Sequence, residues 1–287
     1  MESFFVIMSP MRKKNKQKSR IALAGISEIG ARADQQDSMW FSGMSGERLE
    51  CSAAEFAESE SVFAVIADGM GGLSNGGEIS RLITGEMQSA CIAEDREKSP
   101  VPFLQRSLWR ANETVNQYLS DKEPGGSTVI AAYIEDRKLY YCSVGDSRIY
   151  LWHKKQLCRL NVEHNYGREL DELAWKGAIT ELEARANPRR SALTSYIGKG
   201  MLDQVDGNEI PIDLEKGDVI LLLTDGVFRT VSEEEIARCA AKETAEEAAR
   251  AVARSVVWEH RQYQDNYTVI AIHIGQAPCS QGENVLK

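Results

Sequence analysis

Two apolar segments of this chain end in the same way, on an aspartate followed by glycine. The first runs over residues 62–67 into Asp68 and Gly69, and the second over 219–223 into Thr224, Asp225 and Gly226. A third acid, Asp265, lies just before the apolar run 267–274. A carboxylate at the end of a buried strand is costly unless a counter-charge receives it. Three such ends predict carboxylates that converge on a cation, and hence a metal-dependent enzyme.

Composition narrows the functional class. The chain has 287 residues, enough for one large domain, and a net charge of -9, without the basic face of a nucleic-acid binder or a polybasic membrane-surface protein. No apolar run approaches the ~20 residues of a membrane span. The six cysteines are scattered and form no CxxC pair, which argues against a thiolate metal site or a disulfide framework. We therefore expect a cytoplasmic protein that binds neither nucleic acid nor a membrane.

The spacing of apolar residues along the chain changes between that of a helix and that of a strand. Helical spacing predicts helices from Gly77 and over 101–120, and capping sequences predict two more that begin after Ser232 and Thr244. We expect the polar segment 43–60 to form a loop, and residues 128–160 to form a single antiparallel meander. Further strands are predicted at 20–29, 61–67, 218–224 and 267–274. The order predicts an α+β fold with antiparallel sheets and helices on their outer faces.

Three boundaries follow from the same pattern. Residues 1–19 are expected to form a disordered N-terminal arm, 20–275 a single domain, and 276–287 a C-terminal tail. The charged segment 163–196 is expected to be a small inserted flap. Its arginines are candidate selectors of the substrate: Arg168, Arg185, Arg189 and Arg190.

The candidate ligands are hard oxygen donors. Carboxylates and backbone carbonyls suit Mg²⁺ or Mn²⁺ better than Zn²⁺, and Asp37 joins Asp68, Asp225 and Asp265 as a fourth acid. Glycines at 69, 71 and 72 allow the backbone to approach an ion closely. Arg32, five positions before Asp37, could clamp a phosphoryl group.

Each of these features also has a purely structural interpretation. An Asp-Gly pair is a turn signal, and Asp37 alone could be a solvated loop acid. Arg32 alone could be a surface charge, and Asp146 could form only a hairpin turn. The residues by themselves leave these alternatives open.

Taken together, the segments resemble the bacterial form of the metal-dependent PP2C-type (PPM) protein phosphatases. The matching blocks occur in family order between residues 20 and 274. They comprise Arg32, 36–38, 67–72, 126–128, 144–148, 193–198, 224–226 and 265–268. The resemblance implies a four-layer αββα sandwich of two antiparallel sheets, and an enzyme that hydrolyses phosphoserine and phosphothreonine with water activated by two Mn²⁺ or Mg²⁺ ions.

The resemblance also implies roles for individual residues. Asp68 would bridge the two ions, and the Gly69 carbonyl would bind one of them. Asp225 and Asp265 would hold the other ion, and Asp37 would act near the second ion, directly or through water. Two further residues complete the implied site: Arg32 would bind the substrate phosphate, and Asp146 would contribute to a third, weaker metal.

Three positions depart from the family pattern. Gln36 removes a charge that some members place near the second metal. Met70 stands where eukaryotic members carry a histidine proposed as general acid, so water is the expected proton source for the leaving group. Arg229 stands where many members carry an aspartate for the third metal, and a cation there should weaken that site.

We expect the partners to be phosphoserine and phosphothreonine proteins, including a cognate bacterial Ser/Thr kinase or its substrates, and a monomeric enzyme. Gln36 and Arg229 motivate an alternative, a non-catalytic interaction protein with the same fold. Another alternative is a phosphatase dedicated to a partner-switching regulator such as an anti-sigma-factor antagonist.

Overall fold

The structure is a computed structural model that describes residues 20–44, 53–59, 61–70, 75–93 and 100–275, with the backbone alone at 20 and 53–59. The predicted arm 1–19, the predicted tail 276–287 and the pair Gly71-Gly72 lie outside the described residues.

The described chain forms twelve strands and seven helices. The strands are β1 (Arg20–Glu28), β2 (Asp37–Phe41), β3 (Ala53–Ser59), β4 (Ser61–Asp68), β5 (Val129–Glu135), β6 (Lys138–Val144), β7 (Arg148–His153), β8 (Gln156–Arg159), β9 (Asp206–Gly207), β10 (Ile212–Asp213), β11 (Val219–Leu223) and β12 (Tyr267–Gly275). The helices are α1 (Gly76–Ile92), α2 (Pro100–Tyr118), α3 (Tyr166–Trp175), α4 (Glu181–Ala186), α5 (Asp225–Phe228), α6 (Glu233–Ala240) and α7 (Ala245–Trp258).

The strands form two antiparallel six-stranded sheets. One sheet has the order β3-β1-β12-β11-β7-β8, and the other has the order β10-β6-β5-β4-β2 with β9 paired to β6. Apolar side chains from both sheets, such as Phe41, Ile66 and Ile270, fill the layer between them. Helices α1 and α2 cover the outer face of the second sheet, and α6 and α7 cover that of the first. The predicted αββα sandwich is confirmed.

Local signals explain the helices that flank the sandwich. Ser232 and Thr244 each accept a hydrogen bond from the backbone N–H three residues later, so both capping sequences begin a helix as predicted. The apolar face of α1, with Ile79, Ile83 and Met87, is fully buried against the sheet.

Two predictions about strands were wrong. The segment 43–60, predicted as a loop, contains β3, which pairs with β1 at the edge of its sheet. Edge strands do not need a continuous apolar pattern, because one side of the strand lacks a neighbour. The predicted single meander is two hairpins in different sheets: β6 pairs with β5, whereas β7 pairs with β8 and β11. The chain passes from one sheet to the other at Gly145 and Asp146, where Gly145 has a φ of +100°.

The predicted flap segment contains two helices, α3 and α4. Near the beginning of this segment, His164 forms hydrogen bonds with Gly145, where the chain passes between the sheets. The Gly145 N–H donates to His164 Nδ1 over 3.1 Å, and the His164 N–H donates to the Gly145 carbonyl over 2.8 Å. Because both the ring and the backbone of His164 are used in this way and the residue is buried, its role is structural.

Two further expectations concern membrane spans and cysteines. No helix in the described ranges is long and apolar enough to cross a membrane. The described cysteines at 91, 142, 158 and 239 form no disulfide bonds with one another.

Candidate active site

Antiparallel pairing brings the predicted acids to one end of the sandwich. Asp37 begins β2 and is the direct cross-strand partner of Asp68, which ends β4. In the other sheet, β11 ends just before Asp225 and β12 begins just after Asp265. Asp146 lies where the chain passes between the sheets. The five aspartates therefore lie at one end of the sandwich. Four of them lie at the ends of β2, β4, β11 and β12, and Asp146 lies in the connection from β6 to β7.

Asp37 is almost fully buried within this group of acids. Its Oδ2 atom accepts hydrogen bonds from the Thr224 hydroxyl, at 2.8 Å, and from the Thr268 hydroxyl, at 2.7 Å. Its Oδ1 atom is also buried and has no hydrogen-bond partner among the described residues. Burial raises the pKa of Asp37 to about 7, and the two threonine hydroxyls oppose that rise only in part. A buried carboxylate oxygen without a donor favours a proton or a nearby cation.

Asp68 lies at the centre of the acidic cluster. Loss of hydration raises its pKa well above the ordinary value, and the four other aspartates raise it further. Its backbone is held firmly, because the Asp68 carbonyl accepts from the Thr128 N–H at 2.9 Å and from the Ser127 hydroxyl at 2.8 Å. Residues 127 and 128 thus fix the backbone at the end of β4, which carries the central carboxylate.

Gly69 follows Asp68 in a position that only glycine fits. A Cβ on Gly69 would overlap the carbonyl group of Gly76 at the start of α1. The Gly69 N–H donates to the carbonyl of Gln36, the residue just before β2, at 3.0 Å. The close approach of these backbones leaves the Asp68-Gly69 turn beside the acids.

Two arginines pair with acids of the cluster. Arg32 Nη2 lies 2.7 Å from Asp265 Oδ2 at the exposed rim. Arg229 Nη2 lies 2.9 Å from Asp146 Oδ2, and its Nη1 lies 3.0 Å from Asp225 Oδ2. Burial raises the pKa of Asp146 to about 6, and the pKa of Asp225 in the same direction, while Arg229 acts against both shifts. The arginines therefore supply part of the counter-charge that five acids need.

Neighbouring polar residues brace the loops. The Asn266 side chain accepts from the Gln36 N–H at 2.8 Å and donates to the carbonyls of Ile29 and Asp34. Arg148 pairs with Glu163 at 2.5 Å, and its guanidinium lies 3.9 Å from the centre of the Phe228 ring. These contacts hold the segments that carry Asp37, Asp265 and the flap.

Sequence reasoning missed the two threonines that bind Asp37. Thr224 directly precedes Asp225, and Thr268 lies three residues after Asp265. Their position beside acid blocks was visible in the sequence. Their target was not, because Asp37 is 187 positions from Thr224 and 231 from Thr268.

The donor set fits divalent ions such as Mg²⁺ and Mn²⁺. It consists of carboxylate oxygens with a buried, unpartnered Oδ1 on Asp37. Over the ranges that the structure describes, no three His, Cys, Asp or Glu side chains are already grouped as ligands around one point. Oxygens of Asp146, Asp225 and Asp265 instead pair with the guanidinium groups of Arg229 and Arg32.

Comparison with known proteins adds independent support. The family model for protein phosphatase 2C matches residues 50–260. Protein phosphatase PhpP of Streptococcus pneumoniae is 28% identical over 176 residues, which cover 60% of this chain and 70% of that protein.

Solved structures show the same fold. The serine/threonine phosphatase PstP/Ppp of Mycobacterium tuberculosis aligns with a TM-score of 0.71 and 23% identity, over 90% of this chain and 100% of that chain. The catalytic domain of the serine/threonine protein phosphatase PstP, solved in complex with two manganese ions, aligns with a TM-score of 0.67 and 22% identity, over the same shares of the two chains.

The predicted family, fold and type of enzyme are confirmed by these matches. The family model covers most of the chain, and the solved structures share its sandwich fold. The chain belongs to the protein phosphatase 2C family, and it is a metal-dependent serine/threonine protein phosphatase.

Proposed function

We propose that the acidic cluster holds two Mn²⁺ or Mg²⁺ ions and that Asp37, Asp68, Gly69, Asp225 and Asp265 supply the protein ligands. The observation that carries this proposal is the buried, unpartnered Oδ1 of Asp37 in a group of five carboxylates. Asp68 is the central acid and is the residue best placed to be shared between two ions. A non-catalytic role for the fold has no support here, because none of these acids has been replaced.

The ions, when bound, supply a nucleophilic water at neutral pH and a counter-charge for the phosphoryl group. The protein supplies orientation. Thr224 and Thr268 fix Asp37 by two hydrogen bonds, and the block at 126–128 fixes the backbone of Asp68. We assign phosphate binding to Arg32, whose planar guanidinium lies at the exposed rim and matches phosphoryl oxygens. Its ion pair with Asp265 places it beside the ligand set.

The substrates that we propose are phosphoserine and phosphothreonine proteins, including a cognate bacterial Ser/Thr kinase or the proteins that such a kinase modifies. A cleft of about 680 Å³ beside the acids supports a polypeptide substrate. Asp146 and Arg229 line its inner part, and Arg168 and Trp175 line it on the flap side. We further propose that the enzyme acts in the cytoplasm as a monomer.

Replacing the central acid tests the two-ion site directly. We expect Asp68→Asn to reduce turnover of p-nitrophenyl phosphate and of a phosphothreonine peptide to below a few per cent of wild type, with Mn²⁺ or Mg²⁺ present and with EDTA as the blank. The substitution removes one negative charge from the cluster of aspartates and so reduces their mutual repulsion. The metal-free protein should therefore remain folded and become no less stable. Metal-dependent turnover near the wild-type level would contradict the central role of Asp68.

Asp37 gives the metal-free protein a pH-dependent stability. Its pKa in the folded chain, about 7, lies above the ordinary 3.8, so folding favours its protonated form. This contribution is complete below about pH 4 and is lost as the pH rises through about 7. With chelator present, wild type should therefore lose stability relative to Asp37→Asn over this range, by an amount on the order of a few kcal/mol.

Urea unfolding between pH 4 and 8 measures this difference. Asp34→Asn, at an exposed acid of the same loop, is the matched control and should show no such trend. A difference between wild type and Asp37→Asn that stays constant with pH would show that folding does not raise the pKa of Asp37.

The four arginines of the flap differ in their contacts and exposure. Arg190 binds Asp171 with its two terminal guanidinium nitrogens, at 2.6 and 2.9 Å, and so braces the flap. Arg168, Arg185 and Arg189 are more exposed. Replacing these three with alanine should lower kcat/KM for a phosphoprotein on the order of tenfold, the loss of about 1.4 kcal/mol of binding, and should leave the rate on p-nitrophenyl phosphate unchanged.

The matched control carries alanine at Arg106 and Arg110, two exposed arginines of α2. It should behave as wild type on both substrates. Equal losses on both substrates in the flap variant would refute a role in selecting phosphoproteins.

A further inference from the structure

Arg229 is held between two acids of different elements. It ends the short helix α5, four residues after Asp225, and that spacing turns its side chain back onto the Asp225 carboxylate. Its second nitrogen reaches Asp146 in the crossing between the sheets. A planar guanidinium can bind two carboxylates at once in fixed directions, whereas an ammonium acts as a point charge.

The two acids depend on this cation to different extents. The Asp146 side chain is only 6% exposed, and Arg229 is the only cation that pairs with it among the described residues. Asp225 is 17% exposed, and its Oδ2 faces Arg229. A buried carboxylate without a counter-charge strongly destabilises a fold. The guanidinium provides that counter-charge permanently, because it does not lose its proton at any ordinary pH.

The net charge of the cluster determines how many divalent ions it can neutralise. Five aspartates and the guanidiniums of Arg32 and Arg229 leave three net negative charges when all are ionised. Two divalent ions change this to one net positive charge, and a bound phosphate dianion then leaves one net negative charge. A third divalent ion would bring two further positive charges next to the Arg229 guanidinium, which already pairs with both Asp146 and Asp225.

We propose that Arg229 takes the place of a metal ion between Asp146 and Asp225, so that this phosphatase binds two ions and no third. The proposal rests on the two-ion site of the proposed function. Arg229 is then a positioning residue: it neutralises Asp146 and fixes the orientation of Asp225, one of the ligands, without touching the substrate.

The test is the number of Mn²⁺ ions bound by the metal-stripped full chain, measured by isothermal titration calorimetry and by the electron paramagnetic resonance signal of free Mn²⁺. Wild type should bind two ions. Arg229→Gln removes the charge and frees both carboxylates, so it should bind a third, weaker ion and gain more thermal stability from Mn²⁺ than wild type gains.

Two variants separate charge from packing. Arg229→Lys keeps the cation and should bind two ions, whereas a loss of packing alone would make it behave like the glutamine variant. Arg238→Gln changes an exposed arginine of α6 that pairs only with Glu235 in the described structure, and should bind two ions.

The outcomes are distinct. Three ions in wild type, or two in a folded Arg229→Gln, would overturn the replacement of an ion by Arg229 while leaving the two-ion site intact. Fewer than two ions in wild type would overturn both proposals. If Arg229→Gln folds only in the presence of Mn²⁺, the count on the Mn²⁺-loaded protein after gel filtration decides, with three ions supporting the replacement and two refuting it.

Discussion

Electrostatic repulsion among five aspartates is the constraint on which the rest of this site depends. Asp68 stands at the centre, and each of the other acids raises its pKa. A cluster of this kind would destabilise the fold if every carboxylate were charged and dehydrated. The protein meets the problem with two arginines and two threonine hydroxyls, and the divalent ions of the proposed site would complete the neutralisation.

The topology explains why these acids meet. In an antiparallel sheet, the end of one strand lies beside the beginning of the next, so Asp68 at the end of β4 faces Asp37 at the beginning of β2. The same relation places Asp225 after β11 near Asp265 before β12. The passage from β6 to β7 joins the sheets and adds Asp146. Cross-strand register therefore sets the spacing of the charged groups more directly than any loop does.

Much of this arrangement was predictable from the sequence, because its signals are local. A buried apolar run that ends on Asp-Gly marks both the end of a strand and a carboxylate without hydration, and this applied to Asp68 and Asp225. The strand pairings and side-chain contacts that depend on residues distant in the sequence were not predictable. Nothing in 128–160 distinguishes one meander from two hairpins in separate sheets, since both have the same alternation and the same turns. Likewise β3 exists because β1 offers it an edge, and the hydroxyls of Thr224 and Thr268 find Asp37 only after the sheets have packed.

A comparison of Asp37 with Asp146 shows how one fold can assign different chemistry to two similar acids. Both are almost fully buried, and burial raises the pKa of each, to about 7 and about 6 respectively. Asp37 receives only neutral hydroxyl donors on one oxygen, and its other oxygen has no partner in the described structure. Asp146 receives a guanidinium. An acid that is bound only by neutral groups retains its demand for a cation, so Asp37 favours metal binding, whereas the charge of Asp146 is already met within the chain. The difference arises from which neighbour the sheets bring to each carboxylate, since the acids themselves are chemically identical.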